Sequence, residues 1–289
     1  MIGDYSLGEN VFTKLVLNKK KRGGYVNVEG SPYQAAQGVV PNTVTNHLEL
    51  DSVDSKGMKF SVLFEGDVSS LNLTIDRTEQ NNVPPFAQLT NTIPNWSTAF
   101  GVGASPATGG LKLWPIELFS NEKRQSVAHI DATTLETSKV SGQSLTYTHD
   151  IGLGQIKAIW SKRKVDWDDI LDLDGGPFPI ARTERHTKYD SETFELQLSG
   201  STDSIEYVVG YYSLKDNAFT YNPQSFFGGG QAFGQNYSGN GDSTAIFGQF
   251  TWAIAEDWDL TVGGRSTEED KTGFKQFVGV ISASGKGSF

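Results

Sequence analysis

The chain has 289 residues, with 32 Gly, no Cys and a formal net charge of −10 at pH 7. The acidic balance argues against nucleic acid as a partner, which is bound by exchanging counterions for Lys and Arg; the lack of Cys removes disulfides, thiol catalysis and zinc–thiolate sites. No stretch approaches the roughly 20 apolar residues of a helical membrane span, yet a membrane barrel stays open to such a chain, because half of each strand and all the loops are polar.

Met1, Ile2, Gly3, Asp4 and Tyr5 lack the basic and apolar regions of a secretory signal. Val11, Leu15 and Leu17 mark the first expected strand, followed by a long link through Gly23 and Gly24. In 58–64, Met58, Phe60, Val62 and Phe64 share one face, with Lys59 and Ser61 on the other. In 70–77, Leu71, Leu73 and Ile75 oppose Ser70, Asn72, Thr74 and Asp76. Alternation of this kind marks strands with unlike faces. Only 65–69 separate these two, so they form a tight hairpin.

A long tract, 78–138, precedes a second hairpin. There Ser144, Thr146 and Thr148 alternate with Leu145 and Tyr147. A turn at 150–154 leads into Ile156, Ala158 and Trp160, with Lys157, Ile159 and Ser161 facing the other way. Another long tract, 165–188, reaches strands at 193–198 and 205–212, joined by 199–204. The tract 213–243, rich in Gly and aromatics, then leads to strands at 244–254 and 258–265, joined by 255–257. In 205–212, Ile205, Tyr207, Val209 and Tyr211 form one face; in 258–265 the apolar set is Trp258, Leu260, Val262 and Gly264.

This predicts an all-β, antiparallel up-and-down meander of about nine strands whose connections alternate between short and long, as in outer-membrane barrels. Tyr147, Trp160, Tyr211, Trp252 and Trp258 fall towards strand ends, where amphipathic rings suit a headgroup zone. Alternation alone also fits the core and solvent faces of a soluble β-sandwich, such as a carbohydrate-binding module. A smaller complete barrel acting as a pore or adhesin is the third reading. Loop lengths and strand-end aromatics favour the larger membrane barrel.

Few residues suggest chemistry. Asp168, Asp169, Asp172 and Asp174 precede Gly175 and Gly176, but the distal Glu of a calcium-binding EF-hand loop is missing, which points to a solvated turn. The glycines of 101–110 and of 152–154 lack the signatures of a phosphate loop. His47, His129, His149 and His186 lack metal-ligand spacing. The acidic run Glu268, Glu269 and Asp270 suits a solvated strand end. Neither catalytic residues nor a cofactor or metal are expected. The most plausible ligand-contacting element is the tract 221–237, where Phe226, Phe227, Gln231, Phe233, Asn236 and Tyr237 combine aromatic rings with amide donors. The plainer alternative is an outer loop whose aromatics pack on neighbouring loops.

Specific strings carry a resemblance. SETFELQLSG at 191–200, YVVGYYSLKD at 207–216, AIFGQFTWAI at 245–254 and WDLTVGGRSTEEDKTG at 258–273 occur in that order. They resemble the middle of the barrel of TonB-dependent outer-membrane receptors. GENVFTKLVLNKKKRGGYV at 8–26 is similar to an early barrel strand of the family, and the WSKRKVDWDD and DLDGGPFPI strings of 157–180 to its hairpin and outer loop. The resemblance implies a 22-stranded barrel, an N-terminal plug, a segment that engages TonB, and uptake of scarce ligands such as ferric siderophores. It places the chain against outer-membrane lipid in a Gram-negative bacterium. Residues 1–289 are then expected to be a partial barrel domain without plug or TonB-engaging region, truncated at both ends. Phe289 follows a poor final strand and is not expected to be the barrel's terminal aromatic.

Overall fold

The computed structural model describes residues 1–29, 49–92, 116–132, 134–226 and 231–280. Its strands, in chain order, are β1 (Ile2–Ser6), β2 (Val11–Arg22), β3 (Val26–Val28), β4 (Glu49–Leu50), β5 (Val53–Glu65), β6 (Ser69–Asn82) and β7 (Val127–Ala128). There follow β8 (Leu135–Asp150), β9 (Gln155–Asp172), β10 (Ala181–Ser201), β11 (Ile205–Phe226), β12 (Gln231–Ala255) and β13 (Trp258–Val280). Ten of them form one antiparallel meander in the order β1-β2-β5-β6-β8-β9-β10-β11-β12-β13. Among the described residues β1 and β13 do not pair, so the sheet is an unclosed part of a barrel.

All nine expected strands are present, and the tenth is β1, which pairs with β2 from Ile2↔Val16 to Ser6↔Phe12. Five residues without clean alternation gave it no hydropathy signature. The register joins the apolar sets of neighbouring strands into one face. A single row runs Val11, Phe64, Leu71, Tyr147, Ala158, Leu196, Tyr211 and Ile246. Tyr207, Phe250 and Val262 make another row, and Ile205, Trp252 and Leu260 a third. Directly opposed side chains point to the same side of a sheet, so this apolar face is continuous.

Among the described residues no second large sheet covers it: Phe64 is 41% exposed, Phe250 49% and Val262 60%. A soluble sandwich buries this face between two sheets, so the structure does not support that reading. Because the sheet is open, the small complete barrel has no support either. On the same side, a charged row of Lys162, Glu192, Lys215, Asp242 and Asp270 bounds the apolar belt. In β11 the belt below that row is 205–214, close to the roughly 9–11 residues with which a tilted strand crosses hydrocarbon.

Above the charged row the structure departs from the expected long loops. The tract 213–243 is mostly a paired hairpin, with β11 and β12 in register from Ser213↔Thr244 to Phe226↔Gln231. Likewise β9 extends to Asp172 and β10 starts at Ala181, which shortens the expected loop 165–188 to 173–180. Beyond the belt polar residues enter both faces among scattered aromatics such as Phe219 and Phe274. Hydropathy alternation therefore weakens while the backbone ladder continues.

The buried core lies in a cap at this end of the sheet. β3 pairs antiparallel with β4 and parallel with β7. Val26, Val28, Leu50, Ala128 and Ile130 pack together there with Val83 and Phe86. A second cluster gathers Ile116, Phe178 and Ile180 with Leu89 and Phe119. It includes a 3-10 turn at Ile116–Phe119, and the Phe119 and Phe178 rings meet edge-on at 5.5 Å. Gly175, at φ +67°, turns 173–180 back towards β10, and a Cβ there runs into the Ala87 carbonyl oxygen. Only glycine takes this backbone conformation so readily.

Candidate functional site on the polar face

The face opposite the apolar belt is lined largely by hydroxyl, amide and charged groups. Hydroxyls pair across strands, Ser61 with Thr74 at 2.9 Å and Ser161 with Thr193 at 2.6 Å. Lys59, Asp76, Gly142 and Arg163 stand in one row. The Arg163 Nη2 donates to Asp76 Oδ1 at 3.2 Å across Gly142, whose absent side chain leaves the gap. The same row continues through Ser191, Asp216, Gly241 and Lys271.

Near the cap this face carries two distinct features. The first is aromatic. Phe226 and Phe233, on paired strands, stack with ring centroids 5.4 Å apart, and Phe277 of β13 lies 5.3 Å from Phe233. Tyr237 donates to Gln235 Oε1, and Lys275 Nζ lies 5.4 Å from the Tyr237 ring. The register sets Phe226, Phe233 and Tyr237 to one side; the Gln231 side chain lies outside the described residues. Asn236 falls on the opposite side, opposed to Tyr221 and Gln276, and its Nδ2 donates to Gln276 Oε1 at 3.4 Å. The sequence-based set is thus divided by the pleat. It gains Phe277, which lay outside the tract, and Phe227 lies outside the described residues.

The second feature is a cavity of about 330 Å³ between the cap and β8, β9 and β10. Leu50, Pro84, Phe86, Ile130 and Leu171 supply apolar walls, while Glu136, Trp167, Asp169 and Arg185 face it from the sheet. Arg185 Nε donates to Asp169 Oδ1 at 2.9 Å and Nη2 to Oδ2, a two-pronged ion pair on a carboxylate only 2% exposed. The Arg185 guanidinium also lies 4.8 Å over the Trp167 ring. Asp169 beside it holds the Arg185 guanidinium above its usual pKa, against the opposing effect of burial.

Next to the cavity, Asp131, Asp172 and Asp174 bring carboxylate oxygens within 4.8 Å of one another. Asp172 Oδ1 accepts from the Gly175 N–H at 2.7 Å and the Asp174 N–H at 3.1 Å, and Asp174 Oδ2 accepts from the Ala181 N–H at 2.9 Å. Burial first, and then mutual repulsion, raises Asp172 to about 7 and Asp174 to about 9; burial likewise raises Asp131. This corrects the solvated-turn reading for Asp169 and Asp172, which are buried. Asp168 does stay at the surface, with its Oδ1 2.7 Å from His186 Nδ1. Oxygen donors so spaced suit a hard divalent cation better than a soft one. Asp172 and Asp174 before two glycines do mark a turn whose carboxylates collect backbone N–H groups; Asp131, 41 residues before Asp172, gave no signal that joins it to them.

A family model described as TonB dependent receptor-like, beta-barrel, matches residues 72–287. No curated protein matches the chain. Among solved structures, the ferric yersiniabactin uptake receptor FyuA from Yersinia pestis is similar with a TM-score of 0.63 at 8% identity, over 95% of this chain and 40% of that one. The ferric-catecholate import receptor Fiu from E. coli K12 gives 0.57 at 16% identity in its open form, over 93% and 42%. Its closed form gives 0.56 at 15%, over 99% and 41%. At these identities the likeness is one of fold. The chain spans about two fifths of the length of the solved receptors it matches.

Proposed function

Because the chain belongs to the TonB-dependent receptor β-barrel family, we propose that residues 1–289 are a continuous part of the wall of an outer-membrane receptor for a ferric siderophore or a similarly scarce ligand. The family is one of receptors and transporters. The observation that carries the proposal is the apolar row from Val11 to Ile246, backed by the hydroxyl-lined face behind it. Lipid meets the first face and a hydrated or plugged lumen the second.

On this reading the short turns at 66–68, 151–154, 202–204 and 256–257 lie on the periplasmic rim, and the cap faces outwards. Trp252 and Trp258 then sit at one headgroup zone, Trp160 and Tyr211 at the other. Phe226, Phe233, Phe277 and Tyr237 form an aromatic ledge at the outer end of the lumen, where they contact the incoming ligand. Plug and TonB engagement are supplied by the remainder of the receptor. The lipid assignment is tested by gel electrophoresis of detergent-extracted chain with and without heating. A heat-dependent mobility shift is expected. A chain that stays monomeric and folded in plain buffer overturns it. The uptake assignment is tested by growth on a ferric siderophore as the iron source, with and without the full receptor carrying these residues.

A further inference from the structure

We infer that the cavity under the cap is a binding site for a small apolar molecule, or an apolar arm of a larger one, that carries a single protonated amine. The inference deepens the receptor reading and rests on it for access from the lumen. Three observations combine. The cavity, about 330 Å³, is roughly twice the ~150 Å³ that holds a benzene ring and lies in the range of small-molecule pockets. Its walls are largely apolar: Leu50, Phe86 and Ile130 from the cap, and Leu171 with the Trp167 ring from β9.

The third observation is the charge. Arg185, the sole cation among the described residues lining the cavity, already holds Asp169 with two hydrogen bonds. Glu136 stands opposite Asp169 in register; it lies in the field of Arg185 but forms no ion pair with it, the guanidinium fork being taken by Asp169. Among the described residues the hydrogen bond to Glu136 is a long one, from Asn82 Nδ2 at 3.4 Å. An anion entering the cavity meets Glu136 and an Arg185 already engaged by Asp169. An ammonium group finds Glu136 available, and low-dielectric walls strengthen that attraction. This chemistry differs from that of the aromatic ledge, which carries Lys275.

Three probes of nearly one shape separate the possibilities: 2-phenylethylamine, 2-phenylethanol and phenylacetate, titrated by calorimetry into the full chain in detergent micelles. The amine is expected to bind about tenfold more tightly than the acid, with the alcohol between them. Glu136→Gln should erase the advantage of amine over alcohol and leave alcohol binding within about twofold. Phenylacetate binding as well as the amine, or an amine preference that survives Glu136→Gln, overturns the inference. So does the absence of amine binding by a chain that still shows its heat-dependent gel shift, and there the receptor reading stands. Loss of the gel shift itself counts against the receptor reading and, with it, the inference.

Discussion

Replacing Arg185 by Ala should loosen the outer end of β9 and β10 more than any exposed ion pair would. The Asp169 carboxylate is 2% exposed and receives both of its cationic hydrogen bonds from Arg185. Stranding one partner of a buried pair costs about 3–5 kcal/mol. Arg185 is itself 39% exposed, so water already screens part of the interaction and about 2–3 kcal/mol is the better figure. The guanidinium also leaves the Trp167 ring, which adds about 0.5–1 kcal/mol. A total near 3 kcal/mol raises the local opening equilibrium roughly a hundredfold. Hydrogen exchange of peptides covering 166–172 and 182–188, with the chain in detergent, reads that opening directly. Adding Asp169→Asn to Arg185→Ala should recover most of the loss, because the stranded charge is gone. Exchange at the parent rate in Arg185→Ala, or a double variant looser than the single, refutes the buried-pair argument.

The cap should loosen as pH rises. Asp172 and Asp174 are held at about 7 and about 9 against 3.8 for the free side chain, so the folded cap binds more protons than the open one between these limits. Their stabilising contribution is complete below about pH 4 and is lost through about 7 to 9; exchange of the 173–181 amides, corrected for intrinsic rates, should show it, and Asp174→Asn should flatten the profile. Phe250→Arg, mid-belt on the apolar face, should cost about 2–4 kcal/mol in vesicle unfolding titrations, and Gln249→Arg on the polar face should change stability by less than about 1 kcal/mol. Equal effects at the two positions would mean that the faces are misassigned. Phe233→Ala should separate Phe226 from Phe277 and weaken siderophore-dependent growth of the full receptor while the heat-dependent gel shift persists. Unchanged growth removes the ledge from the ligand path.

What could be read from the sequence was the part of the wall that lipid chemistry constrains. Met58, Phe60, Val62 and Phe64 announced β5 because one face must be apolar and the other not. Ser213 to Ser243 announced nothing comparable. Above the charged row water or other polar groups meet both faces, so polar Asp216, Asn217, Thr220 and Asn222 fall on either side among Phe219 and Tyr221 even though their backbone pairs in full register. Composition there resembles a loop. The cap was hidden for another reason: Val26, Leu50, Ile116, Ile130 and Phe178 are scattered over more than a hundred residues, and no local period joins them. Asp172 and Asp174 looked solvated because acidic residues before glycines usually are. Their burial follows from the tertiary packing of Phe178 and Ile116 around the turn.

The gap at Gly142 bears on how the sheet finds its alignment. Sliding a strand by one residue exchanges the faces and is rejected by hydropathy, but a slide of two residues leaves every side chain on its proper side. The apolar belt is blind to that error. The polar-face row of Lys59, Asp76, Gly142 and Arg163 is not: moving β8 by two residues puts Val140 or Ser144 where Asp76 and Arg163 must meet. A Cβ at that place stands 2.5 Å from Asp76 Oδ1 and 2.9 Å from Arg163 Nη2. Gly241, beside Asp216, repeats the arrangement further round the wall. Since accumulated stagger and strand number together fix a barrel's width, two missing side chains act as gauge marks for the bore of the completed cylinder.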